Sequence, residues 1–348
     1  MSSVDVPLSA LIAAPAVAGM VSTLVGAAAI AWSHRAGFLD RPGAEAHKQQ
    51  TMAVPYGGGA AVAVGLLIAL AVAWIAYGET PRPAAWGIAG GARGLFAVGL
   101  RDDWKALSAK TKLAAQVVIA AIVVPCSGLA VDHLAAWPLL ANAAAIAWIV
   151  LVSNAYNLID HADGVSSTTA IISSAVLLAG CLLGGDLAQA VLWASLIGAL
   201  LGFLRWNLPP ARLYLGDAGS LPLGFLIGVG TLSVTFWPSG EGGSPLALLA
   251  PLLITALPLF DTGVVVIKRL RRGAPLLAGD RHHISHRLGR LGLTPRSTLA
   301  VVAALQVALA GSALQLRQGS DLNALLVIAQ AAAVLLAVLL LETNRDHG

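Results

Sequence analysis

The chain has 348 residues, enough for two or three soluble domains, but 57% of them are hydrophobic and only 11% are charged. The mean hydropathy is +0.81 and the formal net charge is +4. This composition excludes an ordinary soluble protein and gives no sign of a nucleic-acid-binding protein; it predicts one integral membrane domain over residues 1–348.

Apolar runs of membrane length recur along the whole chain. We predict an all-α polytopic protein with ten or eleven transmembrane helices, since a span needs about 20 apolar residues. The predicted spans are 8–32, 57–77, 84–100, 113–130, 138–153, 166–184, 187–205, 220–237, 245–266, 297–316 and 323–341. The first is too long for a signal-peptide core and should be retained. The ninth contains Pro251, Pro258 and Asp261, so we expect a broken helix there.

The basic residues divide the loops into two classes. Of the 21 Lys and Arg residues, 18 fall after odd-numbered spans or in the C-terminal tail, two fall after even-numbered spans, and Arg93 lies within the third span. The positive-inside rule then places the N-terminus outside and the basic loops in the cytoplasm. The unusual polar residues lie in those same loops. This favours an enzyme at the cytoplasmic leaflet over a transporter, whose polar residues should lie near the midplane.

The first two cytoplasmic loops combine acidic and basic residues. His47 and Lys48 precede a glycine triplet and could contact phosphate, or could belong to an ordinary basic anchoring loop. In the second loop, Asp102 and Asp103 point about 100° apart on a helix and should do different jobs. One could accept a proton or orient a phosphate, with Lys112 as a point charge. The alternative is a solvated helix start.

The third loop carries a periodic polar series. Asn154, Asn157, Asp160 and Asp163 recur every three residues, so a helix would place them on one slowly drifting face. No Lys or Arg lies among them, and a metal or the hydrogen-bond donors of a ligand could complement the acids. A structural polar seam between helices is the alternative.

The fourth loop leads to a carboxylate between glycines. Asn207 could be a ligand contact or a loop clamp. The run Leu215-Gly216-Asp217-Ala218-Gly219-Ser220 then opens an apolar helix. We expect free N–H groups at that helix start to bind an anion, with the Asp217 carboxylate beside it holding Mg²⁺ carried by a diphosphate. A simple helix cap is the alternative.

The fifth loop is rich in histidine and arginine. His283 and His286 are three residues apart and face the same way on a helix. Arg287 and further arginines make the site positive, which favours phosphate binding. Zinc ligation and a basic helix on the membrane surface are the alternatives.

Taken in order, these loops resemble the polyprenyl-phosphate N-acetylhexosamine-1-phosphate transferases, a family of integral membrane enzymes. The resemblance covers nearly the whole chain and is carried by four motifs. They are Asp102-Asp103, Asn154-x-x-Asn157-x-x-Asp160-x-x-Asp163-Gly164, Gly216-Asp217-x-Gly219-Ser220 and Asp280-x-x-His283-Ile284-x-His286-Arg287-Leu288. In such enzymes the phosphate of a membrane polyprenol attacks the β-phosphate of a UDP-amino sugar and releases UMP.

The resemblance implies roles for individual residues. Asp217 would hold Mg²⁺ (or Mn²⁺), and Asp102 would deprotonate or orient the lipid phosphate with support from Asp103. The implied catalytic residues are Asp102, Asp103, Asp217 and His283; the implied substrate-binding residues are Lys48, Lys112, Asn154, Asn157, Asp160, Asp163, Asn207, His286 and Arg287.

The chain departs from the family pattern at two places. The usual Asp-Gly-x-Asp-Gly-Leu is here Asp160-His161-Ala162-Asp163-Gly164-Val165, and the family's paired or tripled histidines are interrupted by Ser285. The Asp280-Arg281 opening resembles the N-acetylglucosamine branch more than the peptidoglycan-precursor branch.

The resemblance therefore predicts an inner (plasma) membrane enzyme for the first membrane step of a cell-envelope glycan, such as a cell-wall or lipopolysaccharide polymer. Its substrates would be undecaprenyl or another polyprenyl phosphate and UDP-N-acetylglucosamine, and a homodimer is allowed but not required. Two alternatives stay open: a phospho-N-acetylmuramoyl-pentapeptide transferase, and a non-catalytic or transport relative.

Overall fold

Most of the predicted apolar runs form helices in the computed structural model, which describes residues 8–41, 53–77, 83–129, 136–234, 245–273, 283–317 and 320–343. The helices are α1 (Ala10–Ala36), α2 (Gly58–Tyr77), α3 (Pro83–Trp104), α4 (Ala109–Ser127), α5 (Pro138–Ile159), α6 (Val165–Gly184), α7 (Leu187–Asn207), α8 (Asp217–Ser233), α9 (Ala250–Ile254), α10 (Ala256–Arg271), α11 (Ile284–Arg290), α12 (Pro295–Gly311), α13 (Ala313–Leu316) and α14 (Asp321–Thr343). A 3₁₀ turn (Pro245–Leu249) precedes α9, and β1 (Leu39–Asp40) pairs antiparallel with β2 (Val54–Pro55).

The predicted all-α membrane architecture is confirmed. Within the described ranges, eight helical segments are long and apolar enough to cross a membrane, or nine if one bent pair counts as a span. Two further predicted spans are helices at the expected places. They miss that criterion because α3 carries Arg93 among several glycines and α8 has only 17 residues.

The predicted break in the ninth span is present. The segments Pro245–Ile254 and Ala256–Arg271 meet at 72°, with Thr255 between them rather than a proline. The Ile254 carbonyl accepts hydrogen bonds from Ser173 Oγ and Gln306 Nε2, each at 2.8 Å. These two buried side chains replace the backbone hydrogen bond that the break removes. Such a replacement is needed because a membrane interior offers no water to pair with a free carbonyl.

Helices α1 and α7 cross at backbone distance because glycines line the crossing. A Cβ on Gly198 would collide with the carbonyl of Pro15, and one on Gly202 with the carbonyl of Gly19. Thr23 Oγ1 donates to the Gly19 carbonyl at 2.8 Å. Small residues at membrane helix crossings permit such close approach, since van der Waals packing drives association there.

The α1–α2, α3–α4, α5–α6 and α7–α8 connections lie at the same end of the bundle. Ser33 Oγ, near the end of α1, donates to the carbonyl of Tyr56 before α2 at 2.8 Å. The backbone N–H of Tyr214, before α8, donates to the Pro55 carbonyl at 2.9 Å. The same end receives the α3–α4 and α5–α6 turns, so the loops that carry the unusual polar residues meet there.

Candidate active site

Asp217 begins α8, and the end of α3 caps that helix start. The two carboxylate oxygens of Asp103 accept from the N–H groups of Asp217 (2.8 Å) and Ala218 (3.1 Å). Gly216 has φ of +70°, and a side chain on it would collide with the Asp103 carboxylate. The prediction of free N–H groups for a ligand anion was therefore wrong, because an internal carboxylate takes that place.

Side chains from two other helices contact the Asp217 carboxylate, and one of them also pairs with a carboxylate on a third helix. Asn157 Nδ2 on α5 donates to Asp217 Oδ1 at 2.8 Å. Lys112 Nζ on α4 lies 2.8 Å from Asp217 Oδ2 and 3.1 Å from Asp102 Oδ2 on α3. Asp102, Lys112 and Asn157, which lie far from Asp217 along the chain, therefore meet at this residue in the fold.

Asp102 and Asp103 do separate jobs, as their angular separation predicts. Asp102 Oδ1 accepts from the Leu107 N–H at 2.7 Å, and its Oδ2 pairs with Lys112. Asp103 instead clamps the start of α8. Its support is therefore given to Asp217, and not to Asp102 as the resemblance implied.

The polar series of the third loop does not continue on one helical face. Helix α5 ends at Ile159, and Gly164, with φ of +75°, precedes α6. Asn154 Nδ2 donates to the Val150 carbonyl at 2.8 Å and to Gln116 Oε1. The expectation of a continuous face was wrong beyond Ile159, since a turn redirects the last two acidic residues.

Those acidic residues titrate differently from free carboxyls. Burial, followed by the negative charges of Asp217 and Asp103, raises the pKa of Asp160 well above its usual range. Burial also raises the pKa of Asp163, against an opposing hydrogen bond from the Ala211 N–H at 2.8 Å. Asp160 thus joins the electrostatic environment of Asp217, whereas Asp163 fastens the loop that follows α7.

Asn207 clamps two loops together. Its Nδ2 donates to the Leu213 carbonyl at 2.9 Å, and its Oδ1 accepts from the Gly164 N–H at 3.0 Å. The side chain is buried. Of the two predicted roles, the geometry supports the loop clamp.

A second polar cluster forms around Asp261 in α10. His283 Nδ1 lies 2.7 Å from Asp261 Oδ2, and Asp261 Oδ1 accepts from Ile284 N (2.6 Å) and Arg287 Nη2 (3.0 Å). Asp261, His283 and Arg287 are all buried. The structure therefore directs Arg287 to an internal carboxylate, where the resemblance implied a substrate phosphate.

Sequence analysis did not identify Asp261 as a site residue. The available signal was a lone carboxylate between Pro258 and Gly263 in an apolar run. An ionisable residue within a span is expected to have a nearby partner, because an unpaired charge is costly there.

His161 joins the second cluster from the α5–α6 turn. Its Nδ1 lies 2.9 Å from the Leu158 carbonyl oxygen, and its Nε2 is hydrogen-bonded to Ser285 Oγ. Its ring stacks on His283 with centroids 4.1 Å apart and lies 5.4 Å from the ring of His286. Burial and the neighbouring His283 lower the pKa of His161 to about 3, so it is neutral at physiological pH.

Ligand atoms of His161, Asp261 and His283 lie within 4.8 Å of one another, a separation that a metal ion could bridge. Both Asp261 oxygens are instead engaged by hydrogen bonds, one of them from the Arg287 guanidinium. A nearby fixed cation opposes a second positive charge. The arrangement favours a hydrogen-bonded ion pair over a metal site formed by these three residues. The zinc alternative drawn from the sequence named His283 and His286, and His286 is not part of this group.

Two predicted segments fall outside the described residues. Lys48 and His47 lie within 42–52, and Asp280 lies within 274–282. His286 is half-buried beside His161.

Comparisons with known proteins identify a family and several relatives of this chain. Residues 85–235 match the model of glycosyl transferase family 4, a segment that runs from α3 to the end of α8 and includes Asp102, Lys112, Asn157 and Asp217. The chain is 31% identical over 310 residues to a probable undecaprenyl-phosphate N-acetylglucosaminyl 1-phosphate transferase of Bacillus subtilis, covering 84% of this chain and 81% of that protein.

Two other relatives come from Streptomyces and Mycolicibacterium. A putative glycosyltransferase of Streptomyces coelicolor is 36% identical over 293 residues, covering 82% of this chain and 67% of that protein. A decaprenyl-phosphate N-acetylglucosaminephosphotransferase of Mycolicibacterium smegmatis is 29% identical over 245 residues, covering 62% of this chain and 58% of that protein.

Proposed function

Since the chain belongs to the polyprenyl-phosphate N-acetylhexosamine-1-phosphate transferases of glycosyl transferase family 4, we propose that it transfers N-acetylglucosamine-1-phosphate from UDP-N-acetylglucosamine to a polyprenyl phosphate and releases UMP. The acceptor is undecaprenyl phosphate or a close analogue. The reaction takes place on the cytoplasmic side of the plasma membrane and opens a cell-envelope glycan pathway.

One observation carries the proposal. Asp217 is contacted by Asp103, Lys112 and Asn157, which come from three different helices. Four helix ends thus build a polar site around one carboxylate at the end of an apolar bundle. A phosphorylated lipid and a water-soluble nucleotide sugar can both reach such a position.

The donor atoms around Asp217 suit Mg²⁺, with Mn²⁺ as an alternative. Asp217 and Asp102 offer hard carboxylate oxygens, which these ions prefer. Lys112 Nζ lies between the two carboxylates, so the site already accommodates a positive charge at that point. Asn157 fixes the orientation of Asp217. A bound divalent cation would neutralise charge on the diphosphate during transfer.

The protein's own residues would position the two phosphate-bearing substrates and stabilise the charge that moves between them. An oxygen of the acceptor phosphate forms a bond to the β-phosphorus of the donor, and the bond from that phosphorus to the bridging oxygen breaks as UMP departs. A phosphate with its second pKa near 6 is largely ionised at neutral pH without a base. Asp102, paired with Lys112 and the Leu107 N–H, is therefore suited to orienting Lys112 rather than to removing a proton.

The test is UMP release by the purified full-length protein in detergent or nanodiscs, with undecaprenyl phosphate, Mg²⁺ and UDP-N-acetylglucosamine. We expect activity that EDTA abolishes and that Asp217→Asn lowers by at least about a hundredfold. The matched control is Asp186→Asn, since Asp186 caps the start of α7 at the opposite end of the bundle.

A donor panel separates the alternatives. UMP release with the UDP-N-acetylmuramoyl-pentapeptide donor and none with UDP-N-acetylglucosamine would reassign the substrate. Full activity in Asp217→Asn would refute the proposed centre. Movement of solute across the vesicle membrane without UMP release would identify the protein as a transporter and not as an enzyme.

A further inference from the structure

Arg93 lies at the middle of α3, away from the candidate site. It is in the eleventh position of this helix of 22 residues, about 15 Å from either end at the rise of an α-helix. Its side chain is exposed, and it forms no hydrogen bond or ion pair with the rest of the described chain. Such a charge needs a partner inside a membrane, because hydrocarbon does not solvate an ion.

Helix α3 crosses the membrane although it is less apolar than its neighbours. Helices α2 and α4 are both long and apolar enough to be spans. The N–H of Gly58, at the start of α2, donates to the Tyr214 carbonyl, and Lys112, near the start of α4, contacts Asp217. Both helices therefore begin at the site end of the bundle. The chain must return along α3 between them, which places Arg93 in the hydrocarbon core.

We propose that the outer face of α3 binds a transmembrane helix of another membrane protein, and that this helix carries an Asp or Glu that pairs with Arg93. This face, which we call the α3 seam, consists of six exposed residues: Trp86, Gly90, Arg93, Ala97, Leu100 and Trp104. The inference goes beyond the proposed function and does not depend on it, since it does not use the residues around Asp217.

The first argument is the spacing of the α3 seam. Its residues follow one another at intervals of four, three, four, three and four along the sequence. This is the pattern by which one helix packs against another over a long contact. The opposite face of α3 is already occupied, because Gly91, Leu95 and Gly99 are buried and Gly91 and Gly99 lie against α8. Helix α3 thus has a second packing face, which the described part of the chain leaves exposed.

The second argument is the size of the residues beside Arg93. Gly90 lies one turn before it and Ala97 one turn after it, and a Cβ built on Gly90 has no heavy atom within 4 Å. Small residues let the backbone of a second helix come close, so a short carboxylate side chain can reach Arg93. Trp86 and Trp104 end the seam about 27 Å apart along the helix, close to the hydrocarbon thickness that separates interfacial aromatic residues.

The third argument concerns the source of the negative charge. Lipid phosphates lie at the two membrane surfaces, outside a hydrocarbon core about 30 Å thick. A long basic side chain reaches them when its residue is near the end of a span. Arg93 is instead at the middle of its helix. A carboxylate at the same depth, carried by a neighbouring helix, satisfies the charge without such a reach.

A second copy of this chain does not offer that carboxylate. Of the 17 acidic residues in the sequence, Asp261 is the one that lies within a described helix and away from its ends. It is buried and holds His283 and Arg287. Two copies that met symmetrically through α3 would bring Arg93 against its own counterpart, which is repulsive. The acidic residue must therefore come from a different protein.

The experiment measures binding of a defined transmembrane peptide to the full-length protein in phosphatidylcholine vesicles. The peptide has about 21 residues of Leu and Ala with one central Asp, and its control has Leu in that place. Energy transfer is read from a donor on Lys105→Cys, in a background with Cys126→Ser and Cys181→Ala, to an acceptor on the peptide. We expect the parent to bind the Asp peptide at least about tenfold more tightly than the Leu peptide, because the carboxylate pairs with Arg93 in hydrocarbon.

Variants of Arg93 assign the preference to its charge. Arg93→Leu should bind the two peptides with affinities within about twofold of each other, since no ion pair can form. Arg93→Asp should instead prefer a peptide with a central Lys over the Asp peptide. The matched control is Arg101→Leu, which removes another exposed arginine from the last turn of α3 and should keep the parental preference.

Loss of fold is recognised separately from loss of binding. Leu is readily accepted in a membrane span, so Arg93→Leu should have a thermal midpoint no lower than that of the parent. If it does not, Arg93→Gln removes the charge and keeps a polar side chain, and the same loss of preference is expected.

Three results would overturn the inference. Equal binding of the Asp and Leu peptides by the parent would show that Arg93 selects no carboxylate. A preference that survives in both Arg93→Leu and Arg93→Gln would place the contact elsewhere. A disulfide between two copies of Ala97→Cys, formed by a mild oxidant in native membranes, would show that the α3 seam faces a second copy.

Discussion

Lys112 is a cation held between the two carboxylates that are best placed to bind Mg²⁺. Its Nζ contacts Asp217 Oδ2 at 2.8 Å and Asp102 Oδ2 at 3.1 Å, and its side chain is about one-fifth exposed. A lysine here screens the repulsion between the carboxylates and also competes for their oxygens. It can therefore lower the affinity for the metal while serving the reaction as a contact for phosphate.

Replacing Lys112 should separate these two effects. In Lys112→Met we expect kcat to fall by about tenfold or more, because a fixed positive charge near the phosphates is lost. The Mg²⁺ concentration for half-maximal activity should fall as well, because the competing ammonium is gone. Both are read from Mg²⁺ titrations of UMP release.

The control is Lys110→Met, which removes an exposed lysine from the same helix turn. It should leave both quantities within about twofold of the parent. A Lys112→Met protein that needs more Mg²⁺ than the parent would show that Lys112 assists metal binding and does not compete with it.

Single residues were predictable from the sequence to different extents. Asp217, Lys112 and Asn157 could be assigned to one site because the motifs that carry them together resemble those of one enzyme family; the residues taken loop by loop left alternatives open. The capping role of Asp103 could not be predicted, because it depends on the register between α3 and α8. Asp261 had a signal of its own, but its partners lie 22 to 26 residues away on another element.

At the scale of elements, the crossing of α3 and α8 sets the geometry of the site. Gly99 lies where the two backbones approach, and a Cβ there would collide with the backbone of Asp217. The clamp by Asp103, one turn further along α3, needs this close approach. Because Gly99 has no side chain, α3 and α8 come close enough for the Asp103 carboxylate to reach the start of α8.

Gly99→Ala should therefore push α3 away from α8. We expect a lower thermal midpoint, equivalent to a loss of about 1–3 kcal/mol, and a fall in UMP release. Gly90→Ala is the matched control within α3, since no heavy atom lies within 4 Å of a Cβ built there. It should be neutral or slightly stabilising, as expected for Gly→Ala in a helix interior. Equal effects of the two changes would mean that the crossing is not close in the native protein.

The element pattern was predictable where apolar periodicity dominates and less so where distant partners intervene. The broken ninth helix followed from two prolines and an aspartate. The break falls at Thr255, where Pro258 has no N–H to donate to the carbonyl of Ile254 four residues earlier. That carbonyl instead accepts hydrogen bonds from Ser173 and Gln306 on other helices. Such partners, 52 and 81 residues away along the chain, leave no local signal.

At the scale of the whole molecule, the alternation of helix directions brings the candidate site to a single end of the bundle. The distribution of lysine and arginine predicts that this end faces the cytoplasm. The contacts among the α1–α2, α3–α4, α5–α6 and α7–α8 connections show that these loops share one end. These contacts are the same whichever side of the membrane that end faces, so they do not test the predicted orientation.

Labelling of single cysteines tests the orientation. In a background with Cys126→Ser and Cys181→Ala, Lys105→Cys lies in the α3–α4 connection and Ala188→Cys in the first turn of α7 at the opposite end. A membrane-impermeant maleimide should label Ala188→Cys in intact cells and Lys105→Cys only in inverted vesicles. The reverse pattern would place the site on the outer face.

The glycine-lined crossing of α1 and α7 bears on how genetic data for this protein should be interpreted. Any side chain at Gly198 or Gly202 strikes backbone atoms of α1, so we expect such alleles to lose function because the helices fail to assemble and not because the chemistry is lost. A selection for inactive alleles will return these positions alongside Asp217. Only the amount of protein in the membrane distinguishes the two groups, which makes quantification of expression the first step in any search for the catalytic residues.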